Sequence, residues 1–153
     1  MSKIFAWLGA AFYTIWGVFH VYVAWQIYTL GATEQGLAQG RLFQMAAYML
    51  CIALFAIGIA LTRNWRNDRL GYWLNLAVVS WADGVWVLVV VLPGYVPMAR
   101  GLIPPAFWVT AAIFSTFAYR LQHTASTSQP DRPAYAPRGS AVPLPAGPAA
   151  TRK

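Results

Sequence analysis

Residues 70–92, LGYWLNLAVVSWADGVWVLVVVL, decide the fold. The run contains no Lys or Arg, and only Asn75, Ser80 and Asp83 interrupt its apolar character. As a helix it is long enough to cross the ~30 Å hydrocarbon core of a bilayer. It lacks the strict alternation of a barrel strand, so a spanning helix is the element that satisfies its backbone. Pro93-Gly94 marks its end.

Three more runs of this kind lie on either side, at 4–30, 42–62 and 103–119. The first exceeds one bilayer crossing, so its far end emerges into the interface. Lys3 before it imitates a signal peptide, but an apolar stretch of that length exceeds the ~7–15 residues of a signal. It is read as an uncleaved first span. The last is near the short limit for a span, and Pro104 and Pro105 suit its first turn, where a missing N–H costs nothing. The expected fold is all-α, a four-helix transmembrane bundle spanning 1–123.

Composition agrees. Of 153 residues, 59% are hydrophobic and 10% charged, against about 25% charged in soluble domains. The net charge of +7 resembles a nucleic-acid signature, but its distribution does not, and no recognition motif accompanies it. Lys3, Arg63, Arg66, Arg69, Arg120, Arg132, Arg138, Arg152 and Lys153 fall on one side of the spans, and only Arg41 and Arg100 on the other. The positive-inside rule then puts both termini and the middle loop in the cytoplasm. Trp7, Trp25, Tyr28, Trp65, Tyr72, Trp73 and Tyr95 fall near span ends, where amphipathic rings sit. Residues 124–153, rich in Pro, Ala, Ser and Thr, have nothing to bury and read as a disordered cytoplasmic tail. Cys51 has no second cysteine to pair with and reads as a small packing residue.

An ionisable side chain at bilayer depth costs at least ~2.5 kcal/mol and normally faces protein or water. His20 and Asp83 are both in that position, in the outer halves of spans one and three. They are level to within about one helical turn, and can meet if those spans are neighbours. Tyr13, Trp16, Gly17, His20 and Ala24 form one stripe at helical spacing, and Ser80, Asp83, Trp86 and Val87 flank one face of span three. Gln26, Arg41, Gln44 and Thr110 lie on the same outer side, while the inner half is plainer, with Asn75 and Ser115. The pattern predicts an outward polar pocket. Its acid–base residues would be His20 and Asp83, with Asp83 fixing the imidazole tautomer. Tyr13, Trp16, Gln26, Arg41, Gln44, Trp86 and Thr110 would line it. Loops 31–40, GATEQGLAQG, and 93–100, PGYVPMAR, are candidate lids.

Phosphate loops, Cys-x-x-Cys, Gly-x-Ser-x-Gly and His-Glu-x-x-His are absent from the sequence. One intramembrane His cannot supply two axial haem ligands, and no metal site is expected. The expected occupant is an apolar small molecule such as a quinone or lipid. Two alternatives stand beside it: a non-catalytic accessory subunit docking a membrane-protein partner or a second copy, and a proton-coupled transport component.

Four short spans, Trp16-Gly17-Val18-Phe19-His20 in the first, and Trp81-Ala82-Asp83 with Leu92-Pro93-Gly94 in and after the third, resemble the DoxX-like group of small bacterial inner-membrane proteins. The likeness is one of layout, over residues 5–119. It implies a link to quinone-reducing membrane oxidoreductases, in which some relatives are subunits. It assigns no catalytic residue to this chain.

Overall fold

The computed structural model describes residues 1–127. Helix α1 runs Ser2–Gly31 and α2 runs Gly36–Thr62. A single 3₁₀ turn, Asn64–Arg66, leads into α3, Arg69–Trp86, which continues as a π-helical segment, Val87–Val91. A short α4, Met98–Gly101, precedes α5, Ile103–Thr127. Four helices are long and apolar enough to cross a membrane, and no strand occurs among the described residues. The described residues form an all-α four-helix bundle.

The elements differ from expectation at three ends. Helix α2 begins at Gly36, so the expected loop 31–40 shrinks to a connection over 32–35, too short for a lid. Leu37, Ala38 and Gln39 are good helix formers despite their polar company. Helix α5 runs on to Thr127, so the first four residues of the expected tail are helical; the rest of that tail lies outside the described residues. Span three ends in π geometry, with Leu92 N–H donating to the Val87 carbonyl at 2.9 Å, just before Pro93-Gly94.

Small residues set the packing. Helix α1 turns Ala6, Gly9, Ala10 and Gly17 inward among Tyr13, Trp16 and His20. Helix α2 answers with Ala46, Ala53, Ala56 and Ala60, and α5 with Ala111, Ser115 and Ala118. A Cβ on Gly9 would lie 2.3 Å from Ser115 Oγ, and one on Gly17 would lie 2.5 Å from Ile57 Cγ1. Such small-residue seams let membrane helices approach closely. Helix α1 therefore packs along α2 and α5, α3 packs along the same two, and α1 and α3 lie across the bundle diagonal. Cys51 is exposed on the outside of α2 rather than packed.

At the end holding the N-terminus, Asp68 caps α3 by accepting the Gly71 N–H at 2.9 Å. Asn67, in left-handed conformation at φ 56°, donates to the Ala118 carbonyl at 2.9 Å and also to Gln122 Oε1. These bonds tie the α2–α3 turn to α5. Tyr72 is buried instead of sitting at the interface. Its hydroxyl lies 3.1 Å from Thr116 Oγ1 and its ring stacks on Tyr119.

Candidate functional site

Trp16, His20 and Asp83 form one buried group. The Trp16 indole N–H donates to Asp83 Oδ2 at 2.9 Å, and His20 Nε2 faces Asp83 Oδ1 at 3.9 Å. The imidazole also stacks on the Trp16 ring, with centroids 3.8 Å apart. Only 6% of His20 and 1% of Asp83 is exposed. Spans one and three do not pack side by side, yet the Trp16 indole reaches Asp83 across the diagonal, and His20 Nε2 comes within 3.9 Å of the same carboxylate.

The tautomer follows from one contact. His20 Nδ1 lies 2.8 Å from the Trp16 carbonyl oxygen, one turn back on the same helix. A carbonyl only accepts, so Nδ1 carries the hydrogen. The backbone of Trp16, not Asp83, fixes the ring. Neutral His20 then turns the Nε2 lone pair toward a carboxylate oxygen.

Further polar groups are buried elsewhere in the bundle core. The Tyr13 hydroxyl, Asn75 Oδ1 and Ser115 Oγ are buried with no hydrogen-bond partner among the described residues. Asn75 Nδ2 donates to the Ala56 carbonyl at 3.3 Å, and Trp108 Nε1 donates to Ser80 Oγ at 3.0 Å. Tyr13 itself packs with Trp16, Ala56, Ala60, Val79 and Ala111. No periodicity within span four singles out Trp108 as the partner of Ser80.

The remaining nominated residues are elsewhere. Gln26 is exposed and donates to the Tyr22 hydroxyl, two residues along α1 from the buried Ala24. Arg41 donates to Gln44 Oε1 at 3.2 Å, and Gln44 to the Tyr48 hydroxyl at 2.6 Å, as a chain on the outside of α2. Gln44 lies two residues from the buried Ala46, hence on nearly the opposite face. Trp86 has a different hydrogen-bond partner. Its indole donates to the Gly101 carbonyl at 2.8 Å and holds α4 against the end of α3. Thr110 donates to the Ala106 carbonyl of its own helix at 2.8 Å.

One apolar groove approaches the pair. It lies between α1 and α2, encloses about 680 Å³, and is lined by Val21, Ala24, Trp25, Tyr28, Phe43, Ala46, Ala47 and Leu50. Ala24 in its wall sits one turn above His20, about 6 Å along the helix axis. A volume of this size suits a small organic ligand.

No family model, curated protein or solved structure matches the chain.

Proposed function

We propose that this is a bacterial inner-membrane protein that binds an apolar small molecule, a quinone or a lipid, in the α1–α2 groove and exchanges a proton with it through His20 and Asp83. The observation that carries this reading is the facing of His20 Nε2 and Asp83 Oδ1 at 3.9 Å with Nδ1 already committed to the Trp16 carbonyl. With no proton between them, two acceptors confront each other in a buried setting. With one proton, on either atom, a donor meets an acceptor. At 3.9 Å the two atoms are beyond hydrogen-bond distance, so in this reading a single proton is shared when the side chains close by a few tenths of an ångström or more. The Trp16 indole satisfies the other carboxylate oxygen in either state.

The basic residues, nine against two, support cytoplasmic termini, which opens the groove toward the outer leaflet. The resemblance of this layout to DoxX-like proteins favours a quinone as occupant. Native mass spectrometry of gently extracted protein tests the reading. Quinone or one lipid species should accompany the wild type and be depleted in Ala47→Trp, which fills the groove from its exposed wall. If wild type and variant carry the same unselected lipids and no quinone, binding is refuted.

A second reading rests on the Trp16–Asp83 bond itself, which joins diagonal helices. In an accessory subunit that bond would serve only to order the bundle. Asp83→Asn would then leave any co-purifying small molecule unchanged while lowering stability.

A further inference from the structure

The end of the bundle that holds the N-terminus and the α2–α3 turn has a different chemistry. A cleft of about 660 Å³ there is lined by Thr62, Arg63, Arg66, Asn67, Asp68, Arg69 and Gln122. The lining carries three arginines and one carboxylate. Asp68 Oδ1 is already used, by Arg63 Nη1 at 3.1 Å and by the Gly71 N–H at 2.9 Å. Arg66 and Arg69 have no acidic partner among the described residues, so two positive charges remain uncompensated.

The frame of the cleft is built rather than loose. Arg66 closes the 3₁₀ turn, Asn67 is pinned to α5, and Arg69 opens α3. A neighbouring cleft of about 350 Å³ shares Arg66, Asn67 and Gln122 and adds Lys3, Trp7 and Trp65. The two indoles stack with centroids 4.9 Å apart and are about half exposed. Indoles in such positions mark the headgroup level of a bilayer. The cleft lies beside this indole pair and at the ends of the apolar helices α2 and α3, which is the level at which a lipid phosphate would be expected.

We propose that this cleft binds the phosphate of an anionic phospholipid headgroup, with Arg66 and Arg69 as the principal donors. A guanidinium presents a planar fork that matches two phosphate oxygens, which an ammonium does not. The site is separate from the His20–Asp83 pair and does not depend on the function assigned to it.

Full-length protein in detergent is titrated with phosphatidylglycerol or phosphatidylcholine, and binding is read by native mass spectrometry and by the unfolding midpoint. Wild type should prefer phosphatidylglycerol by about tenfold, roughly 1.4 kcal/mol. Arg66→Lys with Arg69→Lys keeps the charge that sets topology, so it should insert normally yet lose most of the preference. Arg66→Gln with Arg69→Gln should lose all of it. Arg41→Gln with Arg100→Gln, at the opposite end, should retain it. Equal lipid preference in the Gln pair and wild type, or equal loss in the opposite-end control, overturns the site. Inorganic phosphate at millimolar concentration that raises the midpoint as much as the lipid does overturns the lipid assignment.

Discussion

The Trp16 indole donates to Asp83 Oδ2 at 2.9 Å across the diagonal of the bundle, between two helices that do not pack side by side. Removing the donor leaves a buried carboxylate oxygen without its partner, a loss of about 1–3 kcal/mol. Trp16→Phe should therefore destabilise the bundle by that order in reversible unfolding from mixed micelles. Combined with Asp83→Leu, the cost should fall short of the sum. Polar contacts between membrane helices average ~0.6 kcal/mol in double-mutant cycles, with a maximum near ~1.7. A carboxylate acceptor places this one toward the upper end. Additive effects would mean that the bond contributes nothing to stability.

Two glycines on neighbouring helices should respond to the same substitution with opposite signs. A Cβ on Gly9 would lie 3.0 Å from the Ser115 backbone nitrogen as well as against its hydroxyl, so Gly9→Ala forces α1 and α5 apart. Overpacking of this kind costs about 1–3 kcal/mol. Gly58 has nothing within 4 Å of its virtual Cβ, so Gly58→Ala gains helix propensity, worth roughly 0.5–1 kcal/mol. Unfolding midpoints of the two variants check both signs. A neutral Gly9→Ala would show that the α1–α5 seam is looser than described.

The four spans were legible because hydrophobic length is a one-dimensional signal. The site was legible only in part, because burial depends on helical phase and on neighbours. Tyr13, Trp16, His20 and Ala24 share a phase and are all buried. Gln44 is placed by its depth and by the face it shares with Arg41, and that shared face is exposed. Trp86 lies one turn from Asp83 in sequence, but its indole donates to the Gly101 carbonyl. That the pair meets across a diagonal depends on which helices touch, and small residues on α1, α2 and α5 decide that together. Charge points to Asp83 as the tautomer-setter, but the carbonyl one turn back is the partner of Nδ1.

Trp86 should prove to be a clasp for the α3–α5 connection. Trp86→Phe loses the bond to the Gly101 carbonyl and should cost about 1 kcal/mol at most. Hydrogen exchange should quicken locally, in the turn 93–101, with protection elsewhere unchanged. The same variant should retain whatever small molecule the wild type carries. Loss of that molecule in Trp86→Phe would return Trp86 to the wall of the binding site.

Asp68 links the α2–α3 turn to pH. The Gly71 N–H, first, and then the Arg63 guanidinium hold its carboxyl below the usual aspartate value. A carboxylate lowered in the folded state stabilises that state above the unfolded value of about 3.9, and the contribution disappears as pH falls through the lower folded value. Acidification below about pH 4 should thus loosen the cap of α3. In Asp68→Asn, which still accepts from Gly71, the same acidification should have less effect. The group is partly exposed, so the difference should be small and should shrink with salt. An identical acid response in variant and wild type would show that the ion pair and cap are not what the pH step reports.

Orientation decides which leaflet each site meets. In a Cys51→Ser background, needed because Cys51 is exposed, single cysteines at Lys3, Gln35, Ala99 and Asn67 report it. Gln35 lies in the α1–α2 connection and Ala99 in α4, at one end of the bundle, while Lys3 and Asn67 lie at the other. Nine basic residues against two predict that an impermeant thiol reagent labels positions 35 and 99 in intact cells, and labels 3 and 67 only after lysis. That outcome puts the Arg66–Arg69 cleft against the cytoplasmic leaflet, whose anionic lipids attract basic segments. It also opens the α1–α2 groove to the outer leaflet. Labelling of 67 but not 35 in intact cells would invert both assignments and leave the His20–Asp83 pair closer to the cytoplasmic face.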